Sequence, residues 1–125
     1  MDQATLVNVD VSAGQKVLDA LDHAGVKVTV ALWIVSSDYD DWRLILSSPS
    51  LDQDDLLKAH EQLAEALHDP FVYMRAPILI LPTKDPLIRD LRRMFGKAKD
   101  VNGMLLGGQT LGKKFISDAY VYRIQ

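Results

Sequence analysis

Val26-Lys27-Val28-Thr29-Val30-Ala31-Leu32-Trp33-Ile34-Val35-Ser36 is the stretch on which the fold turns. Side chains alternate across a strand, so Val26, Val28, Val30, Leu32 and Ile34 share one face. Ala31, Trp33 and Val35 make the far part of the other face apolar too. A strand apolar on both sides belongs inside a sheet that is covered twice. Ser37-Asp38-Tyr39-Asp40-Asp41 follows, and such residues turn the chain by bonding their own backbone. Residues 42–47 alternate again. The spacing predicts a hairpin of 27–36 with 42–47.

Upstream of the hairpin, Ser12 and Gln15 have the spacing of a capping box, in which each side chain satisfies a free amide of the first turn. They predict a helix over 12–24, with Val17, Leu18, Leu21 and Ala24 on one arc and Gly25 closing it. Residues 5–9 alternate weakly and read as a short strand. Downstream, Ser50 and Gln53 repeat the capping box, and Asp52, Asp54 and Asp55 stand where the helix dipole favours anions. That helix runs to about His68, before Pro70, on an arc of Leu56, Leu57, Leu63, Ala64 and Leu67.

Pro77-Ile78-Leu79-Ile80-Leu81 is a short apolar run between prolines and reads as a buried strand. Asp85-Pro86 supplies the N-cap and first position of a third helix, which closes at Gly96. Its apolar arc is Leu87, Ile88, Leu91, Met94 and Phe95, with Arg89, Arg92 and Arg93 opposite. Residues 104–106 form a short apolar run, 107–112 a glycine-rich turn and 115–124 a strand-like tail. The order is (β)αββαβαββ. It predicts an α+β fold, with a mixed, largely antiparallel sheet of about 4–6 strands and three helices packed on it.

The 125 residues suit a single domain over 1–125, and 48% hydrophobic residues can fill a core without staples. Cysteine is absent, which excludes disulfides, thiolate metal sites and a cysteine nucleophile. Met1-Asp2-Gln3-Ala4 lacks the positive flank and apolar run of a signal peptide, and no stretch reaches the roughly 20 apolar residues of a membrane span. A soluble, cytoplasmic protein without membrane contact is the expectation. Charge is divided sharply along the chain. Residues 1–70 hold 13 acidic and four basic residues, whereas 71–125 hold ten basic and four acidic ones. This pattern fits an anionic partner or attraction between the halves, although sequence halves need not be spatial halves.

Several motifs resemble chemistry and fail on inspection. Gly107-Gly108-Gln109-Thr110-Leu111-Gly112-Lys113-Lys114 matches the glycine and lysine positions of a phosphate-binding loop. That loop needs a hydroxyl for Mg²⁺ where Lys114 stands, and it must open a helix, whereas β-branched and aromatic residues follow. A glycine-rich hairpin connection is the expected structure. His60-Glu61 lacks the second histidine of a zinc-protease motif, since Ala64 holds that place. Glu65 and His68 form one Glu-x-x-His pair where a di-iron site needs two, and Glu61 beside them adds too few ligands. Asp38, Asp40 and Asp41 crowd a hairpin tip without the glycine and distal glutamate of a calcium loop. No serine stands in a nucleophile elbow. No metal and no cofactor are therefore expected, and no catalytic constellation is complete.

Two features remain. His60 interrupts an apolar arc, where an imidazole either completes core hydrogen bonds or faces a cleft, and histidine titrates near neutrality. Arg89, Arg92 and Arg93 at i, i+3 and i+4, flanked by Lys84, Lys97 and Lys99, present a positive surface that suits phosphates. An overall pI near 5.5 argues against a dedicated nucleic-acid domain. The leading expectation is a non-catalytic binding or assembly module acting through a protein partner or self-association. The alternative is phosphate or nucleic-acid binding through the basic helix. A small enzyme built on His60 and the Asp38/Asp40/Asp41 tip comes last.

Overall fold

A computed structural model describes residues 8–36, 41–52, 56–67, 77–98 and 100–125. Strand β1 (Val30–Ser36) lies inside a six-stranded sheet. It pairs antiparallel with β2 (Arg43–Ser47) on one side and with β6 (Lys114–Ile124) on the other. Beyond β2 lies β3 (Ile78–Ile80), in parallel. The far edge of β6 is taken first by β4 (Leu105–Leu106) and then by β5 (Gln109–Leu111), both antiparallel. Helices α1 (Asn8–His23) and α2 (Leu56–Leu67) pack on one face, and α3 (Pro86–Phe95) packs on the other. Among the described residues this is the expected α+β architecture of three helices on a mixed, mostly antiparallel sheet.

The double-faced hydrophobicity of β1 explains the layering. Ala31 and Trp33 join Leu44, Leu46, Leu18 and Leu63 in the core under α1 and α2. Val30, Leu32 and Ile34 join Ile45, Leu87, Ile88 and Leu91 under α3. Every residue of β1 is buried. Burial of each Leu or Ile contributes about 2 kcal/mol, so this strand anchors both cores.

The structure departs from the sequence reading in places with physical causes. Val26 and Val28 belong to the α1/α2 core rather than sharing a face with Val30. Gly25, at φ 82°, ends α1, and residues 26–29 carry the chain from the helix layer into the sheet before alternation begins. Helix α1 spans Asn8–His23, so Asn8 and Val9 are helical rather than extended and Ser12 lies inside the helix, while residues 5–7 of the expected strand lie outside the described residues. Val11 packs on the same core as Val17, Leu18 and Leu21, so the helical stripe extends past the local capping signal. Ser50 lies in a 3₁₀ turn (Pro49–Leu51) capped by Ser48, α2 spans Leu56–Leu67, and Gln53, Asp54 and Asp55 lie outside the described residues.

The buried stripe of α2 runs through Ala59 and Leu63, while Leu57 is 65% exposed and Ala64 is also exposed. Leu57 and Ala59 are two positions apart, about 200° around a helix, so both cannot face the sheet. Among the described residues strand β3 is at the edge of the sheet, with Ile78 and Leu79 half-buried and Ile80 buried. Pro77 and Pro82 bracket it, as suits an edge that should resist further pairing. Helix α3 follows its signals closely: Asp85 accepts a hydrogen bond from the Leu87 amide at 2.9 Å, Pro86 follows, and Gly96 ends the helix.

The glycine-rich segment is a hairpin. Leu111 pairs with Lys114, so Gly112 and Lys113 alone make the turn, at φ 57° and 67°. Two positive φ values define the mirror-image turn that suits a twisted antiparallel pair. A side chain at Gly112 would also strike the backbone of Leu87 at the start of α3. No helix follows, and the phosphate-loop likeness ends there.

Candidate functional site

The sheet sorts charge into layers. Helices α1 and α2, on one face, contain Asp19, Asp22, Glu61 and Glu65 against Lys16 and Lys58. Helix α3, on the other, contains Arg89, Arg92 and Arg93 against Asp90, with Lys97 just beyond its end. The division seen along the sequence therefore persists between these helix layers.

On α3 the buried Leu87, Ile88 and Leu91 turn the arginines outward. Lys84, Arg89, Arg92, Arg93 and Lys97 are all exposed, and Lys99 lies outside the described residues. The arginines do not form one phosphate-facing row. Arg92 donates through Nε to the Gln125 carbonyl at 2.6 Å. Arg93 pairs with Asp90 at 3.2 Å. Pro86, Arg89, Asp90 and Arg93 surround a shallow hollow of about 350 Å³.

Asp90 shapes that hollow. Its carboxylate accepts the Gly112 amide at 2.7 Å and so fastens the β5–β6 turn to α3. The Gly112 hydrogen bond, reinforced by Arg93 and Arg89, holds the Asp90 carboxyl below its ordinary pKa. A stable carboxylate among the arginines opposes the entry of an anion. Sequence spacing marked the arginines but gave no sign that Asp90 would be held between them and the glycine turn.

His60 is half-buried on α2, between the buried Ala59 and the exposed Glu61. Asp41 is exposed and accepts the Trp42 amide at 2.7 Å, while Asp38 and Asp40 lie outside the described residues. His68 also lies outside them. Among the described residues no three histidine, aspartate or glutamate side chains gather as metal ligands, and no helix is long and apolar enough to cross a membrane.

A second hollow, of about 330 Å³, opens where Gln15 of α1, Asp100 and Asn102 of the loop after α3, and Arg123 and Gln125 meet. Arg123 is already engaged there. It grips Asp22 with both terminal nitrogens, at 2.8 and 3.0 Å, and also donates to the Val28 carbonyl.

Sequence reading also missed the exposed apolar side chains. Met94 was expected on the buried arc of α3 but is 46% exposed. Leu105 is 72% exposed and Phe115 is 46% exposed. No protein-family model matches the chain, and no curated protein or solved structure shows significant similarity to it.

Proposed function

We propose that this chain is a non-catalytic binding or assembly module that works through a protein partner or through self-association. The observation that carries this reading is the placement of an acidic helix pair and a basic helix on opposite faces of one sheet. Complementary charged faces steer association and select orientation more than they add affinity. Copies that meet by unlike faces join head to tail, whereas a two-fold pairing sets like layers against each other.

The test is sedimentation velocity across a salt series. Raising salt from about 0.01 M to about 1 M shortens the screening length from about 30 Å to about 3 Å. Self-association through charge gives species larger than a monomer at the low end that dissolve at the high end. A monomer throughout the series removes self-association and leaves a separate protein as the partner.

Phosphate or nucleic-acid binding through α3 is the second reading, favoured by the Arg89/Arg93 hollow and opposed by Asp90 within it. Anisotropy of labelled RNA and DNA, with and without the combined Arg89→Ala, Arg92→Ala and Arg93→Ala changes, decides it. Salt-sensitive binding lost in the triple variant supports this reading, and no binding at low salt ends it.

A further inference from the structure

Independently of how the chain associates, we infer that Asn102 is a site of covalent modification that the fold holds closed. It deamidates through a cyclic imide when the turn around it opens, and the made turn restrains the reaction. Gly103 follows Asn102, and glycine, with no Cβ, leaves its amide nitrogen open to the side chain before it.

The chemistry needs only base and water. Hydroxide or buffer removes the Gly103 amide proton, and the nitrogen attacks Cγ of Asn102. A bond from Gly103 N to Cγ forms, the Cγ–Nδ2 bond breaks, and Nδ2 takes up a proton and leaves as ammonia. Water then opens the ring. Breaking the new bond to Cγ leaves aspartate. Breaking the bond from the nitrogen to the Asn102 carbonyl carbon leaves isoaspartate, with the main chain running through the former side chain. Either product adds one negative charge.

Exposure and backbone geometry point in opposite directions at this site. Asn102 and Gly103 are both exposed, so solvent reaches them. The nucleophile, however, is occupied: Gly103 N donates to the Val121 carbonyl of β6 at 2.7 Å. Met104 N donates to the Val101 carbonyl at 3.0 Å, and Val121 N donates to the Met104 carbonyl at 2.9 Å. The Asp100 carboxylate accepts the Asn102 amide at 2.9 Å. Gly103 takes φ 83° while Asn102 keeps an ordinary φ, the pattern of a type II turn. Val101, the first residue of that turn, is buried in the α3 core. Gly103 N must leave Val121 before it can attack, so the rate in the folded chain follows the fraction of time the turn is open. The extra main-chain atom of isoaspartate does not fit the register that sets Leu105 opposite Tyr120. A chain that has opened therefore carries a lasting mark where β4 begins.

The test follows the full chain in mildly alkaline buffer, folded and in urea, by peptide mass spectrometry of the amide-to-acid conversion. Asn8, the other asparagine, precedes Val9, whose branched Cβ crowds the attacking nitrogen, and serves as the slow internal control. In urea Asn102 should convert readily. Folded, it should convert at least about tenfold more slowly, in step with hydrogen exchange at the Gly103 amide, since both need the same opening. Val101→Ala loosens the seat of the turn in the core, and should speed conversion in the folded chain while leaving the rate in urea unchanged. Equal rates folded and in urea overturn the inference, as does an Asn102 that stays intact in urea. A Val101→Ala chain that is folded by circular dichroism and reacts no faster than wild type also overturns it.

Discussion

The two faces of the sheet are closed by different means. On the α1/α2 face directional bonds run through the core: Trp33 donates through Nε1 to the Tyr122 hydroxyl at 2.9 Å, and Tyr122 donates to the Val11 carbonyl at 2.6 Å. On the α3 face the packing is apolar, and the fastenings lie at the rim, where Asp85 caps the helix and Asp90 holds Gly112. Directional bonds fix where a helix sits, whereas apolar contact mainly fixes how much surface is buried. The α1 side should therefore tolerate displacement poorly, and the α3 side should depend chiefly on fit.

The strongest way to break this contrast is Gly14→Leu. A Cβ at Gly14 would collide with the Tyr122 hydroxyl and crowd Trp33 Nε1, so glycine there lets α1 approach its hydrogen-bonding partners. A leucine should lift the helix from this seat and cost about 4 kcal/mol, as overpacking is joined by the loss of buried hydrogen bonds. Urea unfolding measures it. A cost below about 1 kcal/mol would mean that α1 shifts freely, and the fixed seat would be wrong.

Tyr122→Phe is the next sharpening. It keeps the ring and removes the hydroxyl, so Trp33 Nε1 and the Val11 carbonyl both lose a partner. The expected loss is about 2 kcal/mol, within the penalty for leaving a buried donor unmet. If shape alone held the face, the same change would be nearly neutral in an unfolding titration.

At the rim of the α1 side, Arg123→Met removes the bidentate pair with Asp22 and should cost about 1 kcal/mol at neutral pH, an amount limited by the exposure of Asp22. The Arg123 hydrogen bond outweighs desolvation and holds the Asp22 carboxyl below its ordinary value. A depressed folded pKa contributes stability above the unfolded value of about 3.9 and loses it as pH falls through the folded value. The gap between wild type and Arg123→Met should therefore be full at pH 7 and shrink once pH drops below about 4. An unchanged gap at low pH would assign the effect to packing of the arginine stem.

How legible each face was in advance follows the same division. The hairpin and α3 were legible because their signals are local: alternation in residues 30–36, Asp85-Pro86 at the start of the helix and Gly96 at its end. The start of α1 was not, because Ser12 and Gln15 imitate a cap while Val11 packs on the core and Tyr122, 111 residues away in sequence, bonds its carbonyl. The stripe of α2 was misjudged because Leu57 is as apolar as a core residue, and only the helix's seat on the sheet decides which side is covered. The arginines of the candidate site were visible from their spacing. Their internal partners, Asp90 and the Gln125 carbonyl, depend on where the turn and the last strand return. The exposure of Leu105 was hidden for a related reason, since it depends on how far the opposite helix layer reaches.

The smallest effect is the most direct probe of the α3 face. Ser47 lies opposite Val30, so it projects into the α3 core, where it is fully enclosed. Its hydroxyl has no hydrogen-bond partner among the described residues, although its carbonyl accepts from Thr29. An enclosed hydroxyl without a partner costs folding free energy, since water would have satisfied it in the unfolded chain. Ser47→Ala removes that cost with little change in volume, and should raise stability by about 0.5–1 kcal/mol, read as a higher denaturation midpoint with an unchanged slope. Tyr122→Phe also deletes a single hydroxyl, yet it should lower stability. Opposite signs for the same chemical deletion would separate a face held by directed bonds from one held by fit, and equal signs would erase the distinction.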